Sequence, residues 1–275
     1  MDQKHIGFIG AGNMATALIS GLLDGGYPSE SIWVSDIDQN KLNRLTQQFG
    51  LNAHLDNDEI VRNSEVLVLA VKPQVAQTVL THIDPGSWRP NQIIISIAAG
   101  ILESDIERWV GQKIALIRAM PNTPALIRSG ATGLHANSEV QAEQKDIAES
   151  ILRSVGLVVW LESESELDAV TAISGSGPAY FFLLMEAMEE CARSLGLDSH
   201  TARVLIEQTA FGATKIALEV DQSPAELRQQ VTSPGGTTQK ALQTFEEGGF
   251  RTLVSKALSA AHSRSIEMSR ELGGK

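Results

Sequence analysis

The sequence predicts a doubly wound α/β domain over residues 1–162, followed by an all-helical domain over residues 163–275. Three observations predict it. Up to Trp160, short apolar runs alternate with longer amphipathic stretches. The first apolar run closes on a glycine pattern that opens a helix. After Trp160 the alternation stops and only the helical period continues.

The first run is Ile6 to Ile9, followed by Gly10, Gly12 and Ala15 in the order G-x-G-x-x-A. Gly10 permits the tight turn, Gly12 has no Cβ to block a pyrophosphate, and Ala15 lets the helix lie close to the strand. The helix start then offers free N–H groups to phosphates. A bare strand–turn–helix that binds nothing is the competing reading. Context favours the dinucleotide reading, because a second run, Ile32 to Ser35, ends at Asp36, where a ribose-binding carboxylate is expected.

Further strands are expected at Val66–Ala70, Ile93–Ile97, Ile114–Arg118 and Leu157–Trp160, with helices at Met14–Leu23, Lys41–Phe49 and Val75–Ile83. Continuous β-branched runs suit a parallel sheet covered on both faces. Ligands of such a sheet collect at the carboxyl ends of its strands. Three segments leave strands there: Ala70-Val71-Lys72-Pro73, Ser96-Ile97-Ala98-Ala99-Gly100 and Met120-Pro121-Asn122-Thr123-Pro124. Small residues in the second admit a nicotinamide or merely tight packing; the third is a cleft wall or a plain rigid turn.

The helical half carries long apolar patterns at Tyr180–Leu195, Thr201–Leu218 and Phe250–Arg270. The band of the first is broad enough for burial on more than one side, so this half is a candidate subunit interface. Two punctuation marks interrupt it. Ser174-Gly-Ser-Gly-Pro178 permits a close approach or a kink. Thr232-Ser-Pro-Gly-Gly-Thr-Thr238 resembles an anion nest, with amides and hydroxyls opening a helix.

Composition narrows the function. Of 275 residues, 43% are hydrophobic and 20% charged, as in an ordinary globular protein. A net charge of −11 argues against nucleic acid or anionic membrane as partner. Cys191, the single cysteine, allows no intrachain disulfide and is expected to pack inside a helix. With the first strand so near Met1 and no apolar run of membrane length, a cytoplasmic protein is expected. The six histidines lack ligand spacing, so no metal is expected.

Taken in order, the motifs resemble those of the pyrroline-5-carboxylate reductases over nearly the whole chain. They are Gly7-Phe-Ile-Gly-Ala-Gly-Asn-Met, Ala70-Val-Lys-Pro, Ser96-Ile-Ala-Ala-Gly, Arg118-Ala-Met-Pro-Asn-Thr-Pro, Asp168-Ala-Val-Thr-Ala-Ile-Ser-Gly-Ser-Gly-Pro-Ala-Tyr, Val231-Thr-Ser-Pro-Gly-Gly-Thr-Thr and Gly248-Gly-Phe-Arg. The resemblance implies a Rossmann-like domain and an all-α dimerisation domain, with dimers often assembled into a decamer of five dimers. It implies reduction of 1-pyrroline-5-carboxylate to L-proline, the last step of proline synthesis, with NADPH or NADH.

By the resemblance, Gly10, Ala11, Gly12, Asn13, Met14 and Ala15 hold the pyrophosphate, while Ser35 and Asp36 meet the adenosine ribose. Asn57, Ala70, Val71, Lys72, Pro73, Ile97, Ala98, Ala99 and Asn122 line the rest of the cofactor cleft. Glu164, Gln230, Gly236, Thr237 and Thr238 meet the substrate, and Thr238 orients or relays a proton. Asp36 leans toward NADH because it repels a 2′-phosphate, and the family leans toward NADPH. A β-hydroxyacid dehydrogenase would want a lysine after the interdomain glycines, where Gly177 is followed by Pro-Ala-Tyr-Phe-Phe-Leu-Leu. A cofactor or metabolite sensor without turnover is the reading from a different class.

Overall fold

A computed structural model describes residues 4–274. Its sheet has eight strands in the order β3-β2-β1-β4-β5-β6-β7-β8. These are β1 Ile6–Ile9, β2 Ile32–Ser35, β3 Asn52–His54, β4 Val66–Leu69, β5 Ile93–Ser96, β6 Ala115–Met120, β7 Gly130–Ala136 and β8 Gly156–Trp160. All neighbours are parallel except β6 and β7. The crossovers are the helices α1 Asn13–Asp24, α2 Gln39–Phe49, α3 Asn57–Asn63, α4 Pro73–Thr81, α5 Glu103–Val110 and α6 Ala142–Arg153.

Alternation along each strand makes two cores. Phe8, Val34, Val68, Ile95 and Ile117 face α1, α2 and α6, meeting Leu18, Leu42 and Ile151. Ile9, Leu67, Leu69, Ile94 and Leu116 face the other side, with Ile60 of α3, Leu80 of α4 and Ile106 of α5. Each fully buried side chain of this size contributes about 1.5–3 kcal/mol relative to exposure.

Two strands differ from expectation. β3 is short and polar, and Asn52 ties it to the turn before β2 by donating to the Glu30 carbonyl at 2.8 Å. β7 carries two glycines and little β-branching, so it does not read as a strand. Gly133 is required there by packing, since a Cβ would lie 2.9 Å from the Val170 side chain. Because β7 is antiparallel to β6, the sheet is mixed rather than wholly parallel.

After β8 no strand follows among the described residues. The expected boundary at 162 marks that change of period. Compactness divides elsewhere: residues to Ser176 and from Ala261 onward form one unit, and Gly177–Ala260 the other. The reason is that α7, Glu166–Val170, packs on β6 and β7. Thr171–Gly175 then widens into a turn of π-helix, with the Ser176 amide donating to the Thr171 carbonyl at 2.8 Å. Such turns are a recognised cause of kinks.

The second unit is built from α8 Gly177–Ser194, α9 Ser199–Glu219, α10 Pro224–Gln230, α11 Thr237–Glu247 and the first half of α12 Phe250–Leu272. Asp198 caps α9, and Ser223 with Glu226 forms a capping box on α10. Phe181, Phe182, Leu183 and Phe211 are all more than 60% exposed in the single chain. Cys191 is exposed too, contrary to the expectation that it packs inside. The helical stretch Glu166–Ser194 is long and apolar enough by composition to cross a membrane.

Candidate active site

The carboxyl ends of β2, β1, β4, β5 and β6 are in register, with Ser35, Ile9, Leu69, Ser96 and Arg118 in one row across the sheet. The next residue of four of these strands is Asp36, Gly10, Ala70 or Ile97. Three bonds hold that edge: the Gly10 amide donates to Ser35 O at 2.7 Å, Ala70 to Ile9 O at 2.9 Å, and Ile97 to Leu69 O at 3.1 Å. Sequence order reverses between β1 and β4, so the expected crevice opens between Gly10 and Ala70.

Gly10 turns the chain at φ 102°, where a Cβ would lie 2.6 Å from the Ala70 carbonyl oxygen. Gly12 caps α1 with no side-chain bond, and a Cβ on it would meet nothing within 4 Å. The first turn of α1 has no acidic residue. Free amides, open space beside Gly12 and a fully buried Ala15 together fit a pyrophosphate.

Asp36 is not a free carboxylate beside this loop. Its Oδ2 accepts from the Ala11 amide at 2.8 Å and its Oδ1 from the Asp38 amide at 2.9 Å. Lys41 Nζ lies 3.3 Å away, and the Asp36 side chain is only 10% exposed. Burial pushes the Asp36 carboxyl up, but the two amides and Lys41 outweigh it and hold it below the usual aspartate range. Asp36 therefore ties the glycine loop to the end of β2. Next to it, buried Ser35 donates to Asn57 Oδ1 at 2.7 Å, so the hydroxyl of one expected cofactor residue orients another.

Val71, Lys72 and Pro73 open α4 on the far side of the crevice, with Lys72 exposed at the N-cap and Pro73 at the first position. Ala98 is buried, and Ile97 and Ala99 are half-buried. Asn122 differs from the other residues expected around the cofactor. It is buried, its Oδ1 accepts from the Ala131 amide at 2.9 Å, and its Nδ2 donates to Ser174 O at 3.0 Å. Its side-chain amide joins β7 to the π-helical turn.

A second polar cluster lies beside α5. Arg118 Nη1 donates to Glu164 Oε1 at 2.7 Å, and the Glu103 amide donates to the same oxygen at 2.7 Å. Glu103 Oε1 lies 2.6 Å from His135 Nδ1. Burial and the nearby Glu164 charge push the Glu103 carboxyl up, against the pull of His135 and Arg118.

Gln230, Gly236, Thr237 and Thr238 belong to the helical unit, whereas Glu164 belongs to the sheet unit. Gln230 is the exposed last residue of α10. Gly235 takes φ 72°, and Gly236 caps α11 without a side-chain bond. Thr237 and Thr238 form the first turn of α11, which contains no acidic residue. The Gly235 amide donates to Gln239 Oε1 at 2.6 Å and the Gly236 amide to Ser233 O at 3.1 Å, so within this turn it is the first-turn amides of Thr237 and Thr238 that suit a carboxylate.

Comparison with known proteins gives this geometry its context. A family profile described as "Pyrroline-5-carboxylate reductase dimerisation" matches residues 164–268, and one described as "NADP oxidoreductase coenzyme F420-dependent" matches residues 5–100. The chain is 47% identical over 273 residues to the pyrroline-5-carboxylate reductase of Pseudomonas aeruginosa, covering 99% of this chain and all of that one. The chain belongs to the pyrroline-5-carboxylate reductase family.

The structure of a pyrroline-5-carboxylate reductase from Coxiella burnetii superposes with a TM-score of 0.93 at 45% identity, covering 97% of this chain and 99% of that one. The NADP-bound structure of Plasmodium falciparum pyrroline carboxylate reductase gives 0.86 at 30% identity, covering 98% and 99%. The fold is thus a Rossmann-like sheet domain followed by a helical dimerisation domain, as the sequence predicts.

Sequence reasoning missed the work of Glu103 and His135 in this reductase chain, and took Arg118 only as a strand end and the first residue of a motif. A signal was available for Arg118. A lone arginine in the buried run Ala-Leu-Ile-Arg-Ala-Met requires a partner, because a charge in such a strand is costly unless paired.

Proposed function

We propose that this chain reduces the cyclic imine 1-pyrroline-5-carboxylate to L-proline, with NADPH or NADH as reductant. The observation that carries this reading is 47% identity over 99% of the chain to a reductase of that name. The glycine loop agrees, since open space beside Gly12 and free amides on α1 suit a pyrophosphate.

When bound, the reduced nicotinamide supplies a hydride to the carbon of the C=N bond. The protein binds and orients. Gly10 to Ala15 hold the pyrophosphate, Ser35 and Asp36 meet the adenosine ribose, and Asn57, Ala70 to Pro73, Ile97 to Ala99 and Asn122 line the rest of the cleft. The substrate carboxylate lies on the amides of Thr237 and Thr238, with Gly236, Gln230 and Glu164 completing the substrate site. The imine nitrogen must end with one more proton, and the Thr238 hydroxyl is the group we assign to orient or relay it. A protonated imine is already electrophilic, so positioning supplies most of the rate.

The chain works as a homodimer through residues 164–268, in the cytoplasm, and five dimers assemble into a decamer. Light scattering checks the last point against ten times the 29.6 kDa of one chain. The reaction is tested by oxidation of NADH and NADPH, separately, with 1-pyrroline-5-carboxylate. Turnover with either supports the reading. Cofactor binding with no turnover by either would replace the reductase with a sensor.

A further inference from the structure

The loop that joins β5 to α5, residues 97–102, carries Ile97, Ala98 and Ala99. One end is fixed to the sheet by the Ile97 amide on Leu69 O at 3.1 Å. The other end enters α5 at Glu103, whose N-cap residue Leu102 has no hydroxyl or carboxylate with which to cap the helix. A helix start without a cap leaves donors open. Here the acceptor comes from far along the chain. Glu164 Oε1 takes the Glu103 amide at 2.7 Å and is itself held by Arg118 at 2.7 Å.

Geometry makes this an anchor rather than a chance contact. Arg118 on β6 and His135 on β7 are register partners in the antiparallel pair, so both side chains rise from the same face. Arg118 is 9% exposed and fixes Glu164; His135 is 15% exposed and lies 2.6 Å from the Glu103 carboxylate. The first residue of α5 is thereby held by its amide and by its side chain, from two strands.

We propose that Glu164 is a positioning residue for the cofactor: seated on Arg118, it pins the Glu103 amide and so holds loop 97–102 in its binding arrangement. This rests on the proposed cofactor role of Ile97 to Ala99. It assigns Glu164 a task distinct from touching the substrate.

The test separates the amide from the carboxylate at one position. Glu103→Pro deletes the N–H at the first helical position, where proline is tolerated, and Leu102 at φ −79° and ψ 157° accepts a following proline. Glu103→Ala removes the carboxylate and keeps the N–H. Affinity for NADPH and NADH is measured by isothermal titration, and KM for the imine at saturating cofactor. Glu103→Pro is expected to weaken both cofactors about tenfold, as for a loop that spends a tenth of its time in the competent arrangement. Glu103→Ala is expected to stay within about threefold of wild type, and the imine KM within about twofold for both.

Equal affinity in wild type and Glu103→Pro overturns the proposal, as does Glu103→Ala binding as weakly as Glu103→Pro. Should Glu103→Pro fail to fold, Glu164→Leu, which fills similar space and removes the oxygen that accepts the Glu103 amide, decides by the same measurements. Weaker binding of both cofactors by the Glu164 variant supports the anchor, whatever its imine KM. A raised imine KM with unchanged cofactor affinity, or no change in either, overturns it. A wild-type protein that binds neither cofactor would instead remove the cofactor reading itself.

Discussion

Asp36→Ala removes a carboxylate that does two jobs at once. The Ala11 amide at 2.8 Å and the Asp38 amide at 2.9 Å both donate to it, and Lys41 sits at 3.3 Å. Hydrogen bonds to a charged group contribute about 1.5–3 kcal/mol each. The Ala11 bond counts most, because the Ala11 residue is buried, whereas water can replace Asp36 on the amide of half-buried Asp38. Lys41 is 38% exposed, so its pairing adds less than about 1 kcal/mol. The expected loss is therefore about 2–3 kcal/mol, or roughly 5–10 °C in Tm for a domain of this size.

The same substitution loosens the glycine loop, so both cofactors are expected to bind more weakly. NADPH should suffer less, because Lys41 is then free to meet a 2′-phosphate. Lys41→Ala should do the reverse, weakening NADPH about tenfold and leaving NADH near wild type, roughly the 1.4 kcal/mol that a tenfold ratio represents. Thermal melts and titration with each cofactor measure both effects. An Asp36→Ala protein with unchanged Tm that loses NADH alone would refute the loop-tying role and leave a simple diol ligand. The pH dependence has a definite sign. The folded carboxyl is held below the ordinary value of about 3.9, so its stabilisation is present above that pH and is lost as pH falls through the folded value. The Tm gap between wild type and Asp36→Asn should therefore narrow below about pH 4.

Gly10→Ala would place a Cβ 2.6 Å from the Ala70 carbonyl at a φ of 102°, and should cost about 3 kcal/mol and most cofactor affinity, read by melting and titration. Asn122→Ala strands the Ala131 amide and the Ser174 carbonyl, and should cost about 1–3 kcal/mol in chemical denaturation with the cofactor affinity ratio unchanged. Phe182→Glu, at a position 64% exposed on the single chain, should shift light-scattering mass toward one chain while the sheet unit keeps its cofactor affinity.

What was legible in the sequence follows from how far the relevant physics reaches along the chain. Ile6 to Ala15 contains a whole strand–turn–helix junction, so the turn, the space beside Gly12 and the close packing of Ala15 are all local statements. The five later strands that the sequence predicts were equally local, as short and mostly apolar runs. β7 was hidden because its small residues answer to neighbours far away: Gly133 makes room for Val170. The same distance hid the cluster at α5, whose bonds join Glu103 to Glu164, Arg118 to Glu164 and His135 to Glu103 across 61, 46 and 32 positions. Asp36 was placed correctly at the end of β2, but its partner Ala11, 25 positions away, depends on the turn at Gly10 and cannot be read from spacing.

The helical half poses a different problem of legibility. The apolar band of Tyr180–Leu195 predicts burial on more than one side, yet Phe181, Phe182, Leu183 and Leu184 are 42–65% exposed on the single chain. The pattern and the exposure agree once the burying surface belongs to another copy. Contiguous apolar patches larger than a few hundred Å² are uncommon on soluble monomers and mark sites of association. The same reasoning accounts for Cys191, which lies in that band and is exposed here. It also gives the stretch Glu166–Ser194 its membrane-like composition without a membrane, since a helix covered by a partner needs apolar residues all round. Hydrophobic periodicity reports that a face is buried; it does not report by which chain.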